Sequence, residues 1–358
     1  MSTDSTTKRL LDLNLTRNLL ISLAVLVAGM LLLESTDRYT NTQLSSLTYY
    51  AIAAIGLTAL TGLNGQISLG HGALMAVGAY TTALMLDTET PLPFPVVALV
   101  AVVVTSVVGF VVGIGAARLH GPYLAGATLA LAVALPSVAL YFKGTFNGEV
   151  GLTVASPRPP EWFVSFIDAV SGEFATSSKY VAYLGLMCLV VALFFALNLR
   201  RSKIGRHWRA VRDQEVAAEI AGINLGRTRV QAFVISAAYA GLAGAVMAIV
   251  VRLAAPSAFT IVLSLSVLTA AVIGGLGSIT GAFIGAAVLV FLPPWVTSLS
   301  TGSGLSDTQA AQMSPLIYGI VLILVMLLAP GGVMGTLSTA WRRARLRRPN
   351  PATPTQKG

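Results

Sequence analysis

Ten apolar runs, several of them close to 20 residues long, dominate this sequence of 358 residues. A helix needs about 20 apolar residues to cross the hydrocarbon core of a bilayer. Only 10% of the residues are charged, against roughly 25% in soluble domains. The sequence therefore predicts an all-α polytopic membrane protein with about ten transmembrane helices. The predicted spans cover residues 16–34, 44–63, 72–86, 95–117, 122–142, 180–199, 230–251, 259–274, 279–293 and 313–329.

A basic stretch, residues 200–229, is the only long polar and highly charged interruption between these runs. Cytoplasmic loops of membrane proteins are enriched in Lys and Arg, so this stretch is predicted to be cytoplasmic. With both termini on the same side, 18 of the 23 Lys and Arg residues lie in the cytoplasm and five outside. The charge pattern thus predicts a multi-pass protein of the inner (plasma) membrane with both termini cytoplasmic. The longest outer loop is then residues 143–178.

The domain organisation expected is one transmembrane domain over residues 1–341, followed by a basic tail over 342–358. The tail is rich in Pro and Thr, and we expect it to be disordered and associated with lipid. In a soluble protein the net charge of +9 would suggest nucleic acid as a partner. Here the basic residues cluster at the ends of apolar runs, so topology and anionic lipid explain them and no nucleic-acid partner is predicted. In the outer loop, one apolar face predicts a short helix lying on the membrane, formed by Phe163, Phe166, Ile167 and Val170.

A short helix is predicted inside the basic stretch. Asp213 is placed to cap its start, and Gly222 is placed to end it in a left-handed turn. Apolar and small side chains recur between them at helical spacing. Such a face suits the groove of a soluble partner, and the alternative is a helix resting on lipid head groups. The face comprises Val216, Ala217, Ala218, Ile220, Ala221 and Ile223, bordered by Glu215 and Glu219.

Glycine and polar residues are concentrated in residues 61–80, at a density that breaks a helix. Broken backbone is tolerated at membrane depth only where protein or a water-filled cavity covers it. We interpret this break, with a second one at 274–278, as bordering a translocation path or its cytoplasmic gate. The alternative is an ordinary cytoplasmic turn that ties two spans together. The candidate path residues are Asn64, Gln66, Ser68, His71, Gly72, Gly274, Gly275, Gly277 and Ser278.

The acidic residues fall in tails, loops or the extreme ends of spans. Ion-coupled carriers usually keep ionisable groups at membrane depth, so a stand-alone carrier or channel is the less favoured alternative. The sequence contains no G-x-x-x-x-G-K-[ST] motif for binding ATP, and no HExxH, CxxC or G-x-S-x-G motif. We therefore expect no enzymatic activity, no metal site and no cofactor in this chain. Energy is expected to come from separate proteins acting on the basic stretch.

Several segments resemble the LIV branched-chain amino acid permeases, in particular their M-type subunit. NGQISLGHGALMAVGAY at 64–80 is similar to the signature of that family. In RDQEVAAEIAGIN at 212–224, Ala217 and Ala218, then three residues, then Gly222 resemble the EAA-x-x-x-G signature of ABC importer permeases, with Val216 in the place of the Glu. Further similar segments are ATLALAVALP at 127–136, AFVISAAYAGLAGA at 232–245, VIGGLGSITGAFIGA at 272–286 and APGGVMG at 329–335.

This resemblance implies a type II ABC importer-like permease that moves branched-chain or related hydrophobic amino acids by alternating access. The partners implied are two ATP-binding subunits, a second H-type permease subunit and an extracytoplasmic substrate-binding protein. Urea permeases are the nearest competing family, which leaves urea, short amides or other small solutes as alternative substrates. The resemblance also makes part of the basic stretch a coupling helix for the ATP-binding subunits. The coupling residues it implies are Asp213, Glu215, Ala217, Ala218, Glu219 and Gly222.

Overall fold

The computed structural model describes residues 3–86, 92–119, 121–171, 176–302, 307–328 and 331–336. Across these ranges the chain forms fourteen α-helices and two short strands, β1 (Leu152–Thr153) and β2 (Leu253–Ala254). The helices are α1 (Thr3–Ser35), α2 (Arg38–Leu57), α3 (His71–Leu86), α4 (Phe94–Ala116), α5 (Pro122–Tyr141), α6 (Lys143–Phe146), α7 (Glu161–Ser171), α8 (Ser177–Arg201), α9 (Lys203–Asp213), α10 (Glu215–Ile220), α11 (Leu225–Val251), α12 (Ile261–Gly274), α13 (Ile279–Gly302) and α14 (Asp307–Leu328).

Each predicted span coincides with one of these helices. Seven helices of the described chain are long and apolar enough to cross a membrane, and α3 and α12 are shorter apolar helices. The protein is therefore an all-α, multi-pass membrane protein. The predicted end of the ninth span at residue 293 is wrong, since α13 continues through Pro293 and Pro294 to Gly302. Proline inside a helix removes one hydrogen bond and bends the helix, and here it does not end it.

The centre of the bundle is formed by α2 and α11, the most deeply buried of the long apolar helices. Helix α11 packs against α2, α3 and α4, and α8 packs against α1 and α2. These contacts are close because small residues face each other. A Cβ placed on Gly78 of α3 would lie 2.3 Å from the carbonyl oxygen of Gly241 in α11, and one on Gly109 of α4 would lie 2.2 Å from Cβ of Ala237. Small residues at helix interfaces allow this backbone approach in lipid.

At one end of the bundle, the loop over 143–178 folds onto the helices. Leu152 of β1 pairs antiparallel with Ala254 of β2, which directly follows α11. The prediction that the face of Phe163, Phe166, Ile167 and Val170 rests on the membrane is wrong for Phe163 and Ile167, whose side chains are buried against α1 and α8. The side chains of Phe166 and Val170 lie outside the part of the chain that the structure describes. The ring of Phe163 lies 5.3 Å from that of Tyr183, edge to face. Neighbouring aromatic side chains therefore replace lipid as the partner of this face.

At the opposite end lie the basic stretch and both ends of the described chain. Arg201 donates from Nη1 to Oδ1 of Asn14, near the start of the apolar part of α1, at 2.8 Å. A Cβ on Gly332, close to the last described residue, would lie 2.3 Å from Cα of Gly275. A chain whose two ends lie on the same side of a membrane crosses it an even number of times, and the described ends lie at the same end of the bundle. The predicted basic tail, residues 342–358, lies outside the described residues.

The contact between α3 and α11 gives a test of the packing. We expect Gly78→Ala to lower the melting temperature of the purified protein in detergent, by an amount corresponding to about 1–3 kcal/mol of unfolding free energy. The added Cβ would overlap the Gly241 carbonyl. The matched control is Gly126→Ala in α5, where a Cβ would meet nothing within 4 Å. This control should be neutral or stabilising, because Ala favours a helix over Gly. Equal melting temperatures for the two variants would contradict the close approach of Gly78 in α3 to Gly241 in α11.

Candidate functional site

The first glycine-rich break begins where α2 changes its hydrogen-bonding pattern. Residues Thr58–Asn64 continue α2 as a π-helix, all of them buried. Gly65 then ends the helix with φ of +84°, a left-handed conformation that glycine adopts without the steric cost of a Cβ. Residues 65–70 run without helix up to His71, where α3 starts. A π-helical turn widens the helix, and such turns are frequent at functional sites.

The second break touches the first through backbone alone. A Cβ on Gly62 would lie 2.1 Å from the backbone nitrogen of Gly277, so neither segment leaves room there for a side chain. Gly275, with φ of +108°, ends α12, and Gly332 packs against its Cα. Three glycine-rich segments therefore converge at one end of the bundle. We call this contact of residues 62–65, 274–278 and 331–335 the glycine hub.

Two other predicted residues of the second break have structural partners of their own. Gly274 packs against the carbonyl oxygen of Gly281 in α13, which a Cβ would approach to 1.9 Å. Ser278 accepts a hydrogen bond at Oγ from the backbone N–H of Gly281 at 3.1 Å, at the start of α13. This is the bonding of a helix N-cap, so Ser278 fixes the beginning of the next helix.

The polar side chains of the first break are all buried, but they separate into two groups. Asn64 and Gln66 are 3% and 7% exposed, and neither amide has a hydrogen-bond partner among the described residues. Both line a cavity of about 90 Å³, together with Glu215 of α10 and Arg229 of α11. At about 30 Å³ per molecule, such a cavity has room for roughly three waters or a small polar group. This cavity joins candidate path residues to a candidate coupling residue.

Ser68, His71 and Gly72 lie away from that cavity. Oγ of Ser68 accepts a 3.4 Å hydrogen bond from the N–H of Gly70. His71 is fully buried beside the backbone carbonyl of Ala53 in α2. The N–H of Gly72 donates to Oγ of Ser264 in α12 at 3.0 Å. The bond from Gly72 ties the start of α3 to α12, which favours a structural role for Gly72. Neither ring nitrogen of the buried His71 has a hydrogen-bond partner among the described residues.

The basic stretch folds into two short helices, and Asp213 does not cap the second. Ser202 caps α9 by accepting at Oγ from the N–H of Gly205 at 3.1 Å. Asp213 is the last residue of α9, and the residue before α10 is Gln214, whose side chain makes no capping bond. Instead, Oδ1 of Asp213 accepts from Nε and Nη2 of Arg212 at 2.9 and 2.7 Å. The prediction that Asp213 caps α10 is wrong, because Asp213 belongs to α9 and its carboxylate accepts hydrogen bonds from the guanidinium of Arg212.

The predicted apolar face of α10 is divided between the chain and solvent. Ala218 is 4% exposed and faces the protein, so it does not belong to an outward docking face as predicted. Val216 and Ile220 are 68% and 83% exposed, and Ala217 and Glu219 are also exposed. A six-residue helix packed on a bundle must turn one side inward, and here Ala218 lies on that side while Ala217, equally small, faces solvent.

Gly222 ends α10 as predicted, with φ of +84°. The N–H of Ile223 donates to the carbonyl of Ala218 at 3.0 Å, and the N–H of Gly222 donates to that of Glu219 at 2.9 Å. These bonds satisfy the last carbonyls of the helix, as in a left-handed C-terminal turn.

Two arginines connect this segment to the bundle, and sequence reasoning missed both. Nη1 of Arg212 donates to the carbonyl oxygen of Gly62 at 2.5 Å. Nη2 of Arg229 lies 2.7 Å from Oε1 of Glu215, and its Nη1 donates to the carbonyl of Ala117, directly after α4, at 3.3 Å. In the sequence, both residues are part of a run of positive charge that topology already explains. No local pattern distinguishes them from Arg200 or Arg206.

These features define the class of protein: a multi-pass helical membrane protein whose helix breaks meet a peripheral polar segment with an exposed apolar face. The sequence matches the family described as branched-chain amino acid transport system / permease component over residues 39–326, and the chain belongs to this family.

Individual relatives agree with this assignment. The chain is 31% identical over 304 residues to the high-affinity branched-chain amino acid transport system permease protein LivM of Salmonella typhimurium, covering 80% of this chain and 67% of the relative. The LivM protein of Escherichia coli K12 gives the same identity and coverage. The corresponding LivH protein of Escherichia coli K12 is 26% identical over 80% of this chain and 91% of the relative.

The ion pair beside the cavity gives a second prediction. Glu215→Ala should lower the melting temperature by an amount corresponding to about 1 kcal/mol, because Arg229, whose side chain is 7% exposed, loses its carboxylate. The matched control is Glu219→Ala, which removes the same charge from the exposed side of the same helix. The control should melt like the wild type. A Glu215→Ala protein as stable as the control would show that the pair contributes nothing.

Proposed function

We propose that this chain is a permease subunit of an ATP-driven importer for branched-chain or related hydrophobic amino acids, working by alternating access. The observation that carries the proposal is the position of α10. Its exposed apolar residues face away from the bundle, while Glu215 at its start contacts the cavity of Asn64 and Gln66. Relatives named as branched-chain amino acid permeases support the substrate class.

In this proposal, the exposed face of α10 docks onto an ATP-binding subunit. Val216 and Ile220 are large exposed apolar side chains bordered by the carboxylates of Glu215 and Glu219 within a basic stretch. An apolar anchor surrounded by polar side chains is the usual form of a helix that lies in a groove. The complete importer would contain two ATP-binding subunits, a second H-type permease subunit and an extracytoplasmic substrate-binding protein. ATP hydrolysis would take place on the partner chains.

The orientation proposed places the basic stretch and both termini in the cytoplasm of an inner-membrane protein. The excess of Lys and Arg on that side supports it. Substrate would then leave near the glycine hub, where unwound backbone and the amides of Asn64 and Gln66 offer polar contacts. A zwitterion can be held by backbone N–H and C=O groups in such a break without any charged side chain. The break would serve as part of the cytoplasmic gate.

The docking face is tested by Ile220→Glu. Placing a charge at the centre of an apolar contact should reduce the amount of ATP-binding subunits that copurify, and should lower uptake of labelled leucine into proteoliposomes at least tenfold. The protein should insert and melt normally, because Ile220 is 83% exposed. The uptake of urea, measured in parallel, should remain at background for the wild type and the variant.

The matched control is Ile204→Glu, which makes the same change at a 41% exposed isoleucine of α9, outside α10. It should retain both copurification and uptake. Wild-type uptake by a well-expressed Ile220→Glu complex would argue against docking at α10.

The gate is tested by replacing two polar residues of the π-helical segment Thr58–Asn64, one at each end, with apolar residues. Asn64→Leu keeps the branching and the number of heavy atoms, fills part of the cavity and removes an amide that lines it, so uptake of leucine should fall severalfold while the melting temperature is kept or rises. A buried polar group without a partner costs about 1–3 kcal/mol, which the apolar side chain avoids. Thr58→Val is the control, because the Thr58 hydroxyl is buried without a partner among the described residues but does not line the cavity. Unchanged uptake by both variants would remove Asn64 from the path.

A further inference from the structure

We propose that Arg212 is a positioning residue that clamps the glycine hub to the basic stretch, so that movement of α9 and α10 opens or closes the break. This inference rests on the proposed function for the origin of the movement. The clamp itself is a property of this chain. Its two ends are the carbonyl of Gly62, in the π-helical turn, and the carboxylate of Asp213, at the junction of α9 and α10.

The first element of the argument is what Arg212 does for the end of α2. The last carbonyls of a helix have no partner within the helix and must find one elsewhere. At this end, the N–H of Gly65 donates to Thr61, and the N–H of Gln66 donates to Leu60. The carbonyl of Gly62 is bonded instead by the guanidinium of Arg212, from a different helix, at 2.5 Å. Hydrogen bonds from a charged donor are about twice as strong as neutral ones, and water partly screens this one because the Arg212 side chain is 37% exposed.

The second element is steric. The side chain of Arg212 occupies space that only a glycine at position 65 leaves free, because a Cβ on Gly65 would lie 2.9 Å from Cγ of Arg212. A Cβ on Gly277 would lie 3.8 Å from Nη1 of Arg212, an ordinary van der Waals distance. Arg212 therefore lies beside both breaks of the hub and packs tightly against the first. Any rearrangement that separates Gly62 from Gly277 must move the guanidinium or release it.

The third element is the carboxylate of Asp213, which holds the guanidinium of Arg212 on the side away from the hub. Nε and Nη2 bind one carboxylate oxygen of Asp213, which leaves Nη1 to point at the hub. The planar fork of an arginine makes this division geometrically specific, and a lysine can make only one of the two contacts well. Asp213 is followed by the extended residue Gln214, with φ of −159° and ψ of 98°, which separates the two helices. A displacement of α10 thus acts on the arginine through the residue next to it.

The clamp is tested first on the purified chain, with no reference to transport. In hydrogen–deuterium exchange, Arg212→Gln should speed exchange of the backbone amides of residues 58–66 by about tenfold or more, since a charged hydrogen bond that resists local opening is lost. Arg212→Lys should give a smaller increase. Arg209→Gln is the control: it removes the same charge from the same helix, and within the described residues Arg209 bonds the nearby carbonyls of Gly205 and Arg200 and none of the hub. Unchanged exchange in Arg212→Gln would overturn the clamp.

The second measurement is made in the reconstituted importer. Arg212→Gln should reduce leucine transported per ATP hydrolysed at least fivefold while ATP hydrolysis continues, and Arg209→Gln should leave this ratio unchanged. Faster exchange without a change in the ratio would overturn the positioning role. Ile220→Glu, measured beside it, separates the two proposals: its failure to reduce uptake counts against docking at α10, whereas failure of Arg212→Gln alone counts against the clamp.

Discussion

The rest of the structure depends on one contact, the backbone-to-backbone approach of Gly62 and Gly277. A Cβ at either position would overlap or crowd the other segment. Broken helix at membrane depth must be covered by protein, and here each break covers the other. The remaining side of the hub is covered by α9, whose Trp208 is fully buried on a helix that packs against the π-helical turn. The basic stretch is thus a structural part of the bundle as well as a surface for partners.

Much of the fold could be predicted from the sequence because membrane spans depend on local composition. A run of apolar residues crosses the bilayer whatever its neighbours are, so the spans required no knowledge of packing. The glycine-rich breaks were predictable for the same reason, since Gly65 and Gly275 adopt backbone conformations that other residues disfavour. The distribution of Lys and Arg also predicts the basic stretch and both termini on one side, and among the described residues Asn14 contacts Arg201 while Gly332 contacts Gly275 at the same end of the bundle.

The parts that could not be predicted depend on tertiary contacts. Asp213 has the sequence position of an N-cap, but the adjacent Arg212 holds its carboxylate. Ala218 belongs to a small-residue signature, yet the burial that distinguishes it from Ala217 is set by how α10 lies on the bundle. Phe163 and Ile167 form the apolar face of a short helix, and a sequence does not show whether lipid or α8 covers such a face. In each case, local pattern identified the element and long-range packing decided its surroundings.

Helix α11 explains how the two ends of the molecule are connected. It has 27 residues, which gives a rigid rod of about 40 Å at 1.5 Å per residue. At one end, Arg229 is paired with Glu215 of α10. At the other, Arg252 ends the helix in a left-handed turn, and β2 follows to pair with β1. Because α11 is packed along its length through small residues against α3 and α4, close packing resists a local bend that would absorb a displacement. A shift applied at α10 is therefore transmitted to β1 and β2 or taken up at the glycine hub, where the helices are already broken.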